Sequence, residues 1–118
     1  MEWHSPLLEK SYDFAVRIAI FCREIQTKQK EYVLTKQLLR SGTSIGANIA
    51  EATQGQSRND FISKLSIALK EAHETRYWLR IIRDAGIASS AQVDAFFPDL
   101  QEIIRMLAAS LRTSRAKL

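Results

Sequence analysis

The chain has 118 residues, 46% hydrophobic and 25% charged, with four Gly, two Pro, one Cys and a formal net charge of +4. A chain of this size buries a core as one domain without staples, and so few Gly and Pro exclude an all-β fold, which needs a turn every ~8–12 residues. The lone Cys22 excludes an internal disulfide, the N-terminal residues lack a basic segment followed by an apolar one, and the most apolar stretch, Phe14 to Cys22, is too short to cross a bilayer. A soluble protein of the reducing cytoplasm, with no membrane contact, is expected.

Ser5-Pro6 supplies an N-cap followed by Pro at the first helical position, where its missing N–H is not needed. Leu7, Ser11, Phe14, Ile18, Phe21 and Ile25 then form one seam, which predicts a first helix ending near Thr27 and a basic connection over 28–32. Thr35 is the expected cap of a second helix, with the weaker seam Leu38, Ile45, Ile49 and Ala52, broken by Gln54-Gly55-Gln56. Ser57 caps a third helix, in which Phe61, Leu65, Ala68, Ala72, Thr75, Leu79 and Ile82 alternate at spacings of four and three. Gly86 followed by Ile87 ends that helix in the manner of a C′ glycine with an apolar C″ residue. Ser89 caps the fourth, whose seam is Val93, Phe97, Leu100, Ile104, Leu107 and Leu111, and Pro98 should kink it or divide it into a short and a long piece. Four helices with short connections predict an all-α, antiparallel up-down-up-down four-helix bundle, a single domain over residues 1–118.

Two helices carry more apolar surface than one stripe. The first adds Leu8, Tyr12, Ala15, Val16, Ala19 and Ile20, and the third adds Ile62, Ile67, Leu69, Tyr77, Trp78 and Ile81. These residues either thicken the core or mark contacts between chains, and the width of the arc favours self-association.

Candidate chemistry is sparse. Gly42-Thr43-Ser44-Ile45-Gly46 matches the G-x-S-x-G pattern of a hydrolase elbow, but that turn needs a strand before it, and here the preceding residues are already helical. Gly42, Gly46 and Ala50 instead form a small-residue stripe that admits another backbone, with Ser41, Ser44, Asn48 and Glu51 free to bond across the contact or to their own helix. His4 and His73 are not paired, and no Glu-x-x-His occurs, so no metal or cofactor is expected. Glu71 and Glu74 flanking His73 read as a salt-bridging face with Lys70 and Arg80 nearby rather than an acid/base pair.

Charge is unevenly spread. Residues 17–40 hold six bases and two acids, 105–118 hold four bases and no acid, and the stretches 1–16 and 85–104 are acidic. Lys28, Lys30, Arg40, Arg58, Arg112 and Arg115 are the candidate phosphate contacts, although a purely solubilising role suits the same residues.

The run Ser41-Gly42-Thr43-Ser44-Ile45-Gly46-Ala47-Asn48-Ile49-Ala50-Glu51-Ala52 closely resembles the four-helix-bundle family named for 23S rRNA intervening sequences. So do the residues after it: Ser57, Asp60-Phe61-Ile62 and the stretch from Lys64 to Leu79, including Glu71, Glu74, Tyr77 and Trp78. The likeness covers helices two and three; the other helices agree in length and periodicity only. Members are small bacterial homopentamers, and a related group forms basic pentameric accessory subunits of diversity-generating retroelements. The resemblance implies a homopentamer without enzymatic activity. Gly42, Ser44, Gly46, Asn48, Glu51, Lys64, Glu71, Glu74, Tyr77 and Trp78 are assigned to the oligomer interface or the family motif, with no catalytic role implied for any. The leading expectation is a nucleic-acid-binding or ribonucleoprotein accessory module that partners RNA or DNA; the alternative is a scaffold for a protein partner.

Overall fold

A computed structural model describes residues 5–117, so His4 lies outside the described residues. Helix α1 spans Pro6–Gln29, with the Ser5 hydroxyl accepting from the Leu7 N–H at 3.1 Å. It outruns the expected end at Thr27 because Lys30 takes a left-handed conformation, φ 55°, and returns its N–H to the Gln26 carbonyl at 2.9 Å. The predicted five-residue connection shrinks to residues 30–32.

Helix α2 spans Val33–Ala52, and here the expected Thr35 cap is wrong. Thr35 is buried inside the first turn, and the cap is the Glu31 carboxylate, which accepts from the backbone N–H groups of Val33, Leu34 and Thr35 at 3.0, 2.8 and 2.9 Å. Two carboxylate oxygens satisfy three orphan donors and place negative charge at the positive helix end, which one hydroxyl cannot do.

Helix α3 spans Arg58–Asp84 and is capped by Ser57 through the Asp60 N–H at 3.1 Å. Gly86 adopts φ 73°, and the Ile87 N–H reaches the Ile82 carbonyl at 3.0 Å, closing the C-terminus as the Gly-Ile pair predicted.

The fourth helix is divided. Helix α4, Ser90–Asp94, carries a Ser89–Gln92 capping box, and α5, Phe97–Ala116, has Pro98 in its first turn, where a missing donor costs little. The break at residues 95–96 rotates the seam, so Phe96 rather than Phe97 enters the core. Phe96 packs edge-on to Phe14 with centroids 6.0 Å apart and against Phe21 at 5.1 Å.

Neighbouring long helices run antiparallel. Cys22 meets Thr35 and Ser11 meets Gly46 across α1–α2; Arg40 meets Glu71 and Glu51 meets Lys64 across α2–α3. Arg76 meets Gln101 and Ser66 meets Arg115 across α3–α5, and α5 returns against α1 through Lys10 and Arg17. The result is a four-helix bundle 47 × 21 × 20 Å, with α1 and α3 at opposite corners and the predicted seams of α1 and α2 buried inside.

The α1–α2 contact is close at two glycines. A Cβ added at Gly42 would lie 2.9 Å from the Ile18 Cγ2, and one at Gly46 would lie 3.3 Å from the Ser11 Oγ. The backbone that the small-residue stripe admits is therefore α1 of the same chain.

Gly42→Ala should lower stability by about 1–2 kcal/mol in urea unfolding, because overpacking Ile18 outweighs the alanine's helix preference of ~1 kcal/mol. A second test concerns Glu31. Partial burial pushes its carboxyl up, but hydrogen bonds from Leu34, Thr35 and Val33 outweigh that and hold it below its ordinary 4.5. A carboxyl depressed by folding stabilises above its unfolded value and loses that contribution as pH falls through its folded value. Glu31→Ala should cost about 1 kcal/mol at neutral pH and flatten the acid limb of the stability profile below pH 4.5.

Candidate functional site

The helix directions divide the candidate phosphate contacts between the two ends. Lys28 and Lys30 are exposed at the α1–α2 end, with Arg23 and Lys36 beside them in sequence on the same two helices. Arg58, at the start of α3, and Arg112 and Arg115, near the end of α5, are exposed at the opposite end. None of these five candidates makes an ion pair among the described residues.

Arg40, the sixth candidate, is differently placed. It stands at the α2–α3 seam, donating through Nη1 to Glu71 Oε2 at 2.9 Å and through Nη2 to Glu74. The Trp78 Nε1–H donates to the same Glu74 carboxylate at 3.1 Å, and Tyr77 packs edge-on to Trp78 at 5.1 Å. Desolvation works against the Arg40 charge, but the two carboxylates outweigh it and raise its pKa. The partner of the Glu71–Glu74 face is therefore Arg40 from the next helix, not the Lys70 and Arg80 that sequence proximity suggested.

The other motif residues line the same seam. The Ser44 hydroxyl donates to the Arg40 carbonyl at 2.6 Å, the Asn48 amide to the Ser44 carbonyl at 2.8 Å, and Lys64 pairs with Glu51 at 3.7 Å. Below them the Thr75 and Ser41 hydroxyls meet at 3.0 Å in the core. Ser44 thus bonds its own helix and sits in mid-helix, not on a strained turn. Cys22 offers no nucleophile either: burial, with the nearby Glu31 charge, pushes its thiol up to about 12, and Sγ–H donates to the Thr35 carbonyl at 3.5 Å. Among the described residues no three His, Cys, Asp or Glu side chains converge as a metal site, and no helix is long and apolar enough to cross a membrane.

The second apolar sets are partly consumed by the core. Leu8, Ile62, Leu69 and Trp78 pack against it, whereas Tyr12, Val16 and Ile20 on α1 are 66%, 42% and 46% exposed. On α3, Ile67 and Tyr77 remain at 40% and 57%. The α1 patch borders a groove of about 680 Å³ whose floor is Thr43, Gly46, Ala47 and Ala50 of α2 and whose wall includes Leu8 and Tyr12. A further cluster, Arg76, Arg80 and Arg83, lines an open concavity against α5. Its i, i+4, i+7 spacing was visible in the sequence, but net charge summed over stretches hid it behind the acids on other faces of the same helix.

The sequence profile of the 23S rRNA-intervening sequence protein family matches residues 5–109. The chain belongs to this family. Among solved structures it is similar to a crystal structure, at 1.70 Å resolution, of a protein of unknown function from the S23 ribosomal protein family of Bacteroides thetaiotaomicron VPI-5482. That similarity has 48% identity and a TM-score of 0.87 and covers 89% of this chain and 97% of that one. No functionally curated protein matches the sequence. The family match takes in α1 and most of α5 as well as the α2–α3 motif, so the whole bundle, not the motif alone, is the family's unit.

The seam network separates two kinds of ion pair. Arg40→Ala leaves the Glu71 carboxylate, only 12% exposed, without its cation, and should cost about 1–3 kcal/mol in denaturant unfolding. Lys64→Ala breaks a looser, exposed pair and should cost under ~1 kcal/mol.

Proposed function

We propose that this protein is a non-enzymatic, cytoplasmic homo-oligomer, a pentamer as the resemblance implies, that serves as a nucleic-acid-binding or ribonucleoprotein accessory module. The observation that carries the reading is the separation of two unused surfaces on one small bundle. Apolar side chains stand in water on α1 and α3, and unpaired cations stand at both ends.

The apolar patches support self-association of a particular kind. They lie on helices at opposite corners, so one patch can face the other on the next chain. A contact between two different patches is head-to-tail, closing into a ring where the rotation between copies divides a full turn and running on as an open filament where it does not, whereas a two-fold dimer uses one patch twice. The cations support the nucleic-acid partner: a ring repeats the +4 of each chain, and clustered Lys and Arg release counterions from phosphate. Ser44 and Cys22, bonded to backbone carbonyls, favour no covalent chemistry.

Light scattering on nuclease-treated protein should give about five times the 13.4 kDa chain mass. Tyr12→Glu and Tyr77→Glu should each reduce it while circular dichroism stays helical; a native monomer would sink the assembly. RNA retardation in a native gel should weaken steeply with added salt. An intact oligomer that shifts no RNA at low salt would leave the protein-scaffold alternative instead.

A further inference from the structure

The α3–α5 edge carries arginines that a reading of the two ends leaves out. On α3, Arg76, Arg80 and Arg83 share one face and line an open concavity of about 580 Å³ with Phe97, Pro98 and Gln101 of α5. Arg76 donates to the Gln101 side-chain carbonyl at one level of this edge, and Arg115 donates to the Ser66 hydroxyl at 3.2 Å near the far end. Arg105 follows Gln101 by one turn, Arg112 precedes Arg115 by three residues, and both are exposed. From Ser66 to Arg83 the edge runs ~26 Å along α3.

Most of this charge is uncancelled. Arg83 is neutralised by Asp84 and Asp94, both at 2.9 Å, and its guanidinium covers the Phe97 ring at 5.5 Å. Arg76, Arg105, Arg112 and Arg115 make no ion pair among the described residues, while Arg80 adds to Arg83 in holding the Asp84 carboxyl below its ordinary range. The acids of α5 that could have answered them, Asp99 and Glu102, face α1 and are held there by Lys10 and Arg17.

A line of guanidinium groups this long exceeds any single phosphate and matches a repeating one. Guanidinium pairs with phosphate oxygens through two parallel hydrogen bonds. Among the described residues Tyr77, beside Arg80, is the one exposed aromatic near the line, too few for a platform that stacks successive unpaired bases. Between the arginines, the Gln101 carboxamide keeps its N–H donors for a 2′-hydroxyl, whereas the Ser66 hydroxyl is committed to the Ile62 carbonyl at 2.8 Å. A long, open helix edge also suits the wide, shallow minor groove of paired RNA better than the deep major groove of DNA.

We propose that the α3–α5 edge is the track on which the sugar-phosphate backbone of paired RNA lies, gripped by Arg76, Arg80, Arg105, Arg112 and Arg115 without reading base sequence. This rests on the nucleic-acid reading above and moves the main contact from the ends of the bundle to its side. The track leaves the apolar patch of α1 free for assembly and meets the α3 patch only where Arg80 borders Tyr77.

The test is fluorescence anisotropy of the intact protein with a labelled RNA duplex about 20 base pairs long, across a salt series. Arg76→Gln/Arg105→Gln/Arg112→Gln should lower affinity at least ~100-fold at low salt and reduce the log–log salt slope by about 3. Lys28→Gln/Lys30→Gln/Lys36→Gln should change affinity less than ~3-fold. Arg105→Gln/Arg112→Gln, which removes no side-chain hydrogen bond or ion pair among the described residues, should already lose ~10-fold or more, with mass and helicity unchanged. Wild-type affinity and slope in the edge variants, with loss in the end variant, would overturn the track while leaving the nucleic-acid reading intact. Equal affinity for a DNA duplex of the same sequence would overturn the assignment to RNA. Absence of binding by the native protein at low salt would overturn the underlying reading, and the track with it.

Discussion

The contact of α1 with α2 at Gly42 and Gly46 governs what the rest of the bundle can do. With no Cβ at Gly42, Ile18 lies directly over the α2 backbone, and Ser11 closes on Gly46 one turn further along. Leu8 is tucked against the core, but Tyr12, Val16 and Ile20 lie too far round the helix to follow it and are left in water. The groove beside them shares Gly46 and Ala50 with the stripe, so the α2 residues that admit α1 also line an outer groove that is mostly apolar, with Glu9 and Asp13 at its side. The internal packing and the exposed patch are thus two results of one spacing.

The three polar seams are joined by different chemistry, and that difference sets the surface field. Across α1–α5, Lys10 and Arg17 meet Asp99 and Glu102; across α2–α3, Arg40 meets Glu71 and Glu74. Both seams spend cations on anions. Across α3–α5, by contrast, Arg76 and Arg115 donate to an amide and a hydroxyl, so the helices are tied together while the positive charge stays directed at solvent. A modest net charge therefore conceals a strong asymmetry between the sides of the bundle.

Much of the fold was legible in the sequence because helical periodicity and end chemistry are local. Ser57 with Asp60, Gly86 with Ile87, and the seam from Leu7 to Ile25 all depend on residues within a few turns. The misreadings come from places where a side chain reaches across a boundary. Glu31 caps α2 from outside it, so Thr35 looked like the cap when it was a recipient. The break after α4 turns Phe96 inward by adding rotation that a straight periodicity over Pro98 does not contain. Arg40 resembled the other basic candidates because its partners, Glu71 and Glu74, are a whole helix away in sequence. The exposed parts of the second apolar arcs could be suspected from their width, but which residues the core would absorb was a question of packing: Trp78 is anchored by Glu74, and its neighbour Tyr77 is not.

In the assembly proposed above, the two surfaces respond differently to salt. Burial of Tyr12, Val16 and Ile20 against a neighbouring chain removes apolar area from water, a contribution that salt does not screen. Phosphate contact by the α3–α5 arginines depends on counterion release and fades as salt rises. Assembly also acts on binding through geometry, since each copy repeats the same arginine edge at a fixed orientation and a duplex that touches two edges gains effective concentration for the second. The gain exists only if the ring holds the edges rigidly, and that rigidity returns to α1 and α2, because the patch that joins one copy to the next is built on the glycine contact that fixes their spacing.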